Sequence, residues 1–166
     1  MKKILLTILI ILSLFPLVGA KIGISLGTFD ALSNKFLDEG TDIQSGLIIG
    51  LAPYWEAEAF ITTKVTPKAF DQIFGAIGTS FSLMGPVYEK KSSVPTYATA
   101  YAGVGFFANL IDFSSYGPYI RLTPLSVGGP QFRLRERTLS LSLYYDIPNN
   151  SIAFMWNLFL LDFFLN

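Results

Sequence analysis

Residues 138–146 read TLSLSLYYD, with Leu139, Leu141, Leu143 and Tyr145 on one parity and Thr138, Ser140, Ser142, Tyr144 and Asp146 on the other. Successive side chains of a β-strand point to opposite faces, so this segment has one oily wall and one small polar wall. A helix would scatter both sets around its circumference. Similar alternation predicts strands over 21–29, 43–52, 55–65, 73–84, 96–108, 119–127, 132–147 and 151–165. Turn signals separate them: Pro53, Thr66-Pro67-Lys68, GPVYEKKSSVP, DFSSYGP, GGPQ and PNN. The acidic stretch ALSNKFLDEG predicts a short helix ending at Gly40. Pro124 predicts a bulge or an early end to the sixth strand. The polar run YEKKSSVP reads as a mobile solvated loop.

Closely spaced strands joined by turns predict an all-β fold, and the content of the polar parity selects among such folds. It consists of Gly, Ser, Thr and Ala with a few Glu, Arg and Tyr. A solvated sheet face carries many more charges, whereas the inside of a narrow barrel takes small polar groups and paired ions. The prediction is a single antiparallel up-and-down transmembrane barrel of eight strands. Ser140 and Ser142 then point inward, and Leu139, Leu141 and Leu143 touch lipid. Tyr54, Trp55, Tyr119, Tyr145 and Trp156 fall near predicted strand ends, where amphipathic rings suit a membrane interface. In GVGFF, Gly103 and Gly105 read as relief of crowding inside a narrow barrel, not as a phosphate loop.

The first twenty residues lie outside this pattern. Lys2 and Lys3, the apolar stretch 4–17, and Val18-Gly19-Ala20 have the form of a secretory signal peptide cleaved after Ala20. That gives a signal peptide over 1–20 and one barrel domain over 21–166. With no Cys after the small residues, a lipidated N-terminus is not expected. The chain is 51% hydrophobic and only 14% charged, yet beyond the signal peptide it has no apolar run long enough for a spanning helix. Removing Lys2 and Lys3 from twelve basic residues leaves ten against twelve acidic ones, and no basic patch suggests nucleic acid.

Histidine and cysteine are both absent. That excludes a Ser-His-Asp triad, a thiol nucleophile and the common His-containing zinc sites. Glu56 and Glu58 in YWEAEAF share the inner parity. They could form an acid/base pair or a cation site, but a lumenal salt-bridge network with Arg121, or with one of Arg133, Arg135 and Arg137, is the favoured expectation. Counted back from the leucines of 138–146, Arg133, Arg135 and Arg137 in FRLRERTL fall on the oily parity. They are therefore expected at the membrane boundary, contacting lipid headgroups or lying on a solvated strand end.

The signal peptide, the alternating segments and the closing strand NLFLLDFFLN carry a resemblance. In that strand Phe159, Leu161, Phe163 and Leu165 share a parity. The chain resembles the small eight-stranded outer-membrane barrels, the superfamily that includes the membrane domain of outer-membrane protein A and its relatives X and W. The resemblance implies location in the cell outer membrane, contact with its lipid, and insertion by the barrel-assembly machinery. It carries over no site residue and no cofactor. Such barrels usually end in an aromatic residue, whereas this chain ends in Asn166. The enzymatic lipid A acyltransferases and deacylases among such barrels rely on histidine, so a non-enzymatic structural, permeability or surface-interaction role is expected. The alternative is a soluble periplasmic barrel binding an apolar ligand inside, as lipocalins do, with the oily parity turned inward.

Overall fold

The computed structural model describes residues 21–31, 42–64, 73–88 and 98–165. Eight strands follow one another around a closed barrel: β1 (Lys21–Ala31), β2 (Asp42–Ala52), β3 (Trp55–Lys64), β4 (Ile73–Ser82), β5 (Ala98–Asn109), β6 (Tyr116–Gly129), β7 (Leu134–Asp146) and β8 (Ser151–Phe164). Each pairs antiparallel with its sequence neighbour, and β8 closes onto β1. Closure leaves no strand edge with unpaired backbone groups. All eight strands stand within a few residues of the bounds predicted from alternation. Of the predicted helix ALSNKFLDEG, Ala31 ends β1 and the rest lies outside the described residues.

One mouth, here the near mouth, holds Lys21, the β2–β3 turn, the segment after β4, the Pro130–Phe132 3₁₀ turn and Leu165. The far mouth holds the β5–β6 and β7–β8 turns. Apart from the mouths, buried side chains alternate with exposed ones along most of each strand, and the buried set faces the lumen. The lumen is layered. An aromatic layer, with Phe29, Phe60, Phe74, Phe107, Tyr119 and Tyr144, fills the far half. Tyr119 stacks on Tyr144 at 5.1 Å, and Phe107 meets Tyr144 edge-on at 4.9 Å. Gly78 and Gly105 make room for it, since a Cβ on Gly105 would lie 2.5 Å from the Tyr119 ring. A Cβ on Gly103 would sit 2.6 Å from Ser80 Oγ. Both glycines of GVGFF thus relieve inner crowding.

The alternation breaks once, along a single line. In β7 the buried residues change from Arg135 and Arg137 to Ser140, Ser142, Tyr144 and Asp146, leaving Thr138 and Leu139 both turned outward. Pro124 and Leu125 in β6, and Leu158 and Phe159 in β8, do the same. The three strands keep register with one another through this point, as Leu125↔Thr138 and Thr138↔Phe159 show. The offset appears only at their outer neighbours, as register shifts between Thr99 and Tyr101 in β5 and between Gly27 and Asp30 in β1. An extra residue per strand is what a β-bulge inserts, and here one line of insertion crosses three adjacent strands. Leu139 adopts φ +54°, the left-handed conformation that some bulges require. The bulge expected from Pro124 is present and belongs to this larger feature.

Candidate functional site

The line of insertion decides the polar chemistry of the lumen. It places the inward parity of the near half on Arg135 and Arg137, which are 0% and 2% exposed. The expectation of headgroup contact is therefore corrected for these two: counting parity from Leu139 fails because Thr138 and Leu139 share a face. Arg133 is exposed in the near-mouth turn, at φ 59°. Tyr119 is inward and buried, so it does not occupy an interface position on the outer wall, whereas Trp156 faces outward, paired with Asp30 near the end of β1.

Inside the near half, six charged side chains alternate in sign along a continuous chain of contacts. Glu56 accepts from Arg135, with Nη1 at 2.8 Å from Oε2 and Nη2 at 3.2 Å from Oε1. Arg135 Nε donates to Asp162 Oδ2 at 2.6 Å, and Arg137 Nη2 donates to Asp162 Oδ1 at 2.9 Å. Arg137 Nη1 reaches Glu58 Oε2 at 3.1 Å, and Arg121 Nη1 reaches Glu58 Oε1 at 3.2 Å. Hydroxyl groups extend the chain. Ser25 accepts from Arg137, Ser142 from Arg121 Nε, and Tyr101 from Arg135 at 2.6 Å, while Ser80 donates to Glu58. Arg121 also lies 4.4 Å from the Phe60 ring centre, joining the ionic layer to the aromatic one.

Three arginines against three carboxylates make this buried group neutral. Ions so thoroughly removed from water are tolerated only when paired and hydrogen-bonded, as all six are. Glu56 and Glu58 thus enter the network by different routes, Glu58 through Arg121 and Arg137, and Glu56 through Arg135. Sequence reasoning missed Asp162. It stands five residues from the inward Asn157, an offset that places the two on opposite faces of an unbroken strand. The signal available was a carboxylate within the apolar strand NLFLLDFFLN, on the parity opposite Phe159, Leu161, Phe163 and Leu165.

The near mouth is filled by the start of the β4–β5 connection. Val87 and Tyr88 both donate backbone N–H groups to Pro53 O, at 2.7 and 3.1 Å. Val87 is buried; of the run YEKKSSVP expected to be a mobile solvated loop, Tyr88 alone lies among the described residues, and it turns into the mouth. The Tyr88 hydroxyl donates to Glu56 Oε2, and its ring meets Phe164 edge-on at 6.2 Å. The ring occupies the space that a side chain at Gly50 would need. Burial pushes the Tyr88 hydroxyl well above its ordinary range, against the pull of Arg135, so it remains a proton donor.

Both oxygens of Glu56, Glu58 and Asp162 accept from arginine. This arrangement holds charge in place and presents no carboxylate to a substrate. Among the described residues no group of three or more acidic, His or Cys side chains is placed to hold a metal ion. Compared with protein-family models, curated proteins and solved structures, the chain finds no match in any of the three.

Proposed function

We propose that this chain is an integral outer-membrane β-barrel whose lumen is closed by its own side chains, and whose role is structural or lies in surface interaction rather than in catalysis or open-pore transport. The observation that carries the reading is the outer wall. Ile24, Leu26, Leu47, Ile61, Ile77, Val104, Ile120, Leu122, Leu143 and Phe163 all point outward and are exposed. Among the described strand residues of alternating pattern, the charged side chains on that wall are Asp30 and Glu136, both close to a mouth. A wall of this composition is poorly suited to water and well suited to hydrocarbon. Aromatic side chains flank it: Trp55 stacks on Phe81 at one end, and Phe106 lies near Tyr116 at the other.

The filled lumen supports a closed barrel over a channel, as expected for eight strands. It also weighs against the lipocalin-like alternative. The near half carries ions, and the void among Phe29, Phe60, Phe74, Phe107 and Tyr144 has a volume of only about 10 Å³. The signal peptide, the assembly machinery and contact of Arg133 with lipid headgroups belong to this same proposal. Cell fractionation tests it. The protein should remain with outer membranes after carbonate washing, need detergent for extraction, and migrate differently on gels before and after heating. Release into plain buffer would overturn the reading.

A further inference from the structure

The outer wall is not uniformly convex. Across β2 to β5, toward the far mouth, lies an open trough of about 580 Å³. Its floor is made where outward positions carry little side chain, at Ala59 and Ala108, with Gly75 between them covered by the Leu110 side chain. Its banks are Leu47, Ile61, Ile77 and Phe106. The register aligns these positions in two rows, Ser45–Ile61–Gly75–Ala108 and Leu47–Ala59–Ile77–Phe106. Leu110, bonded from its N–H to Ile73 O, folds back so that a Cβ on Gly75 would lie 2.8 Å from it.

We propose that this trough holds one hydrocarbon tail of a membrane lipid, a bound acyl chain distinct from the lipid that merely surrounds the barrel. The inference rests on the outer-membrane reading above. Three features select the occupant. The lining is hydrocarbon apart from the Ser45 hydroxyl and backbone, so a polar ligand has nothing to bond. Four strands about 4.8 Å apart span roughly 14 Å, measured obliquely around the wall and not along the membrane normal, which is room for part of one flexible tail. The shape is concave, whereas the wall of a second barrel is convex and would bridge the banks while leaving the floor uncovered. A flexible chain can follow the floor. The trough is also continuous with the apolar wall around it, so a tail enters sideways without crossing a polar rim.

The test uses the full-length protein reconstituted in phosphatidylcholine nanodiscs containing a trace of phosphatidylcholine with a diazirine near the tail end. After illumination, labelled peptides are mapped by mass spectrometry, and the same is done for the Ala59→Phe/Ala108→Phe variant, in which the trough is filled. Heat-dependent gel migration confirms that the variant folds, since both substitutions project outward. The expected result is labelling concentrated on Leu47, Ile61, Ile77 and Phe106 and lost in the variant, with unchanged background at Ile120, Leu122 and Leu143. Equal labelling all around the wall, or labelling that survives filling, would overturn the acyl-chain site while leaving the membrane reading intact. Banks left unlabelled while the rest of the wall is labelled would mean that something other than a tail covers the trough, and would overturn the acyl-chain site. Recovery of the protein outside the discs would remove the membrane reading, and the site with it.

Discussion

Arg137 and Asp162 meet at 2.9 Å inside the barrel, although alternation counted from the inward Ser140 and Asn157 turns both side chains away from the lumen. Arg137 is three residues from the inward Ser140, and Asp162 five residues from the inward Asn157. Each odd offset is made even in effect by one extra outward residue, supplied at Thr138 and Leu139 in β7 and at Leu158 and Phe159 in β8. Because the insertions lie opposite each other, the strands keep the same register on both sides of the line while both change face. The ionic layer is therefore a consequence of backbone geometry as much as of residue choice.

The left-handed backbone at Leu139 leads to the first prediction. A non-glycine residue there carries about 1–2 kcal/mol of backbone strain that glycine avoids. Leu139→Gly should therefore hold or raise resistance to urea unfolding, despite the loss of an outward leucine. Leu141→Gly, in ordinary strand geometry, should lower it. The comparison is a pair of unfolding curves on folded protein. Equal losses in both variants would mean that Leu139 is an ordinary strand residue and that the change of face has another origin.

The eight strands were legible because period-two alternation is a local property, and all eight follow it over most of their length. The inward direction of Ser140, Ser142, Glu56 and Glu58 was legible for the same reason. The orientation of Arg135 and Arg137 was not, because a single inserted residue reverses every side chain beyond it. The conflict was nevertheless present in the sequence: β7 carries arginines on one parity and small polar residues on the other, so no one face could collect both. Pro124 marked the level of the insertion in β6. The role of Tyr88 was hidden for a different reason. Its position depends on contacts with Pro53, Gly50 and Phe164, which are distant along the chain and leave no periodic trace.

The network predicts an order of damage. Asp162 holds Arg135 and Arg137 together, so Asp162→Asn leaves two buried arginines short of a countercharge. Removing one partner from a buried ion pair costs roughly 3–5 kcal/mol. Arg121→Met leaves Glu58 still paired with Arg137 and should cost clearly less. Adding Glu58→Gln to Arg121→Met should then recover part of that loss. Urea unfolding of the four proteins gives the order. A loss for Arg121→Met as large as that for Asp162→Asn would show that Glu58 does not share its charge between two arginines.

At the near mouth, Gly50 and Tyr88 compete for one space. Gly50→Val should expel the Tyr88 ring and free the segment that contains Val87. The native chain has no cysteine, so Val87→Cys offers a single labelling site. In the otherwise native background that thiol should react slowly with a maleimide, because position 87 is buried, and the added Gly50→Val should speed it by roughly the population of the expelled state. Fast labelling in both backgrounds would mean that the mouth is open without any substitution.

The outer wall gives the sharpest division between a lipid and an aqueous environment. Ile120 points outward from the middle of β6, is 58% exposed, and is flanked across the sheet by Val104 and Leu143. On a soluble barrel, Ile120→Arg would expose a charge to water at little cost and improve solubility, as most surface substitutions cost under about 0.5 kcal/mol. In a bilayer the same arginine sits near mid-depth, where it costs roughly 2–4 kcal/mol on a lipid-facing strand. Ile120→Arg should therefore reduce the yield of folded, heat-modifiable protein in phosphatidylcholine vesicles, while Ile120→Leu leaves it unchanged. Arginine placed instead at Tyr54, beside the near-mouth turn, should be tolerated, because the cost falls toward zero at the interface. A wall that accepts arginine equally at positions 120 and 54 is a wall in water, and the proposed membrane location would not survive that result.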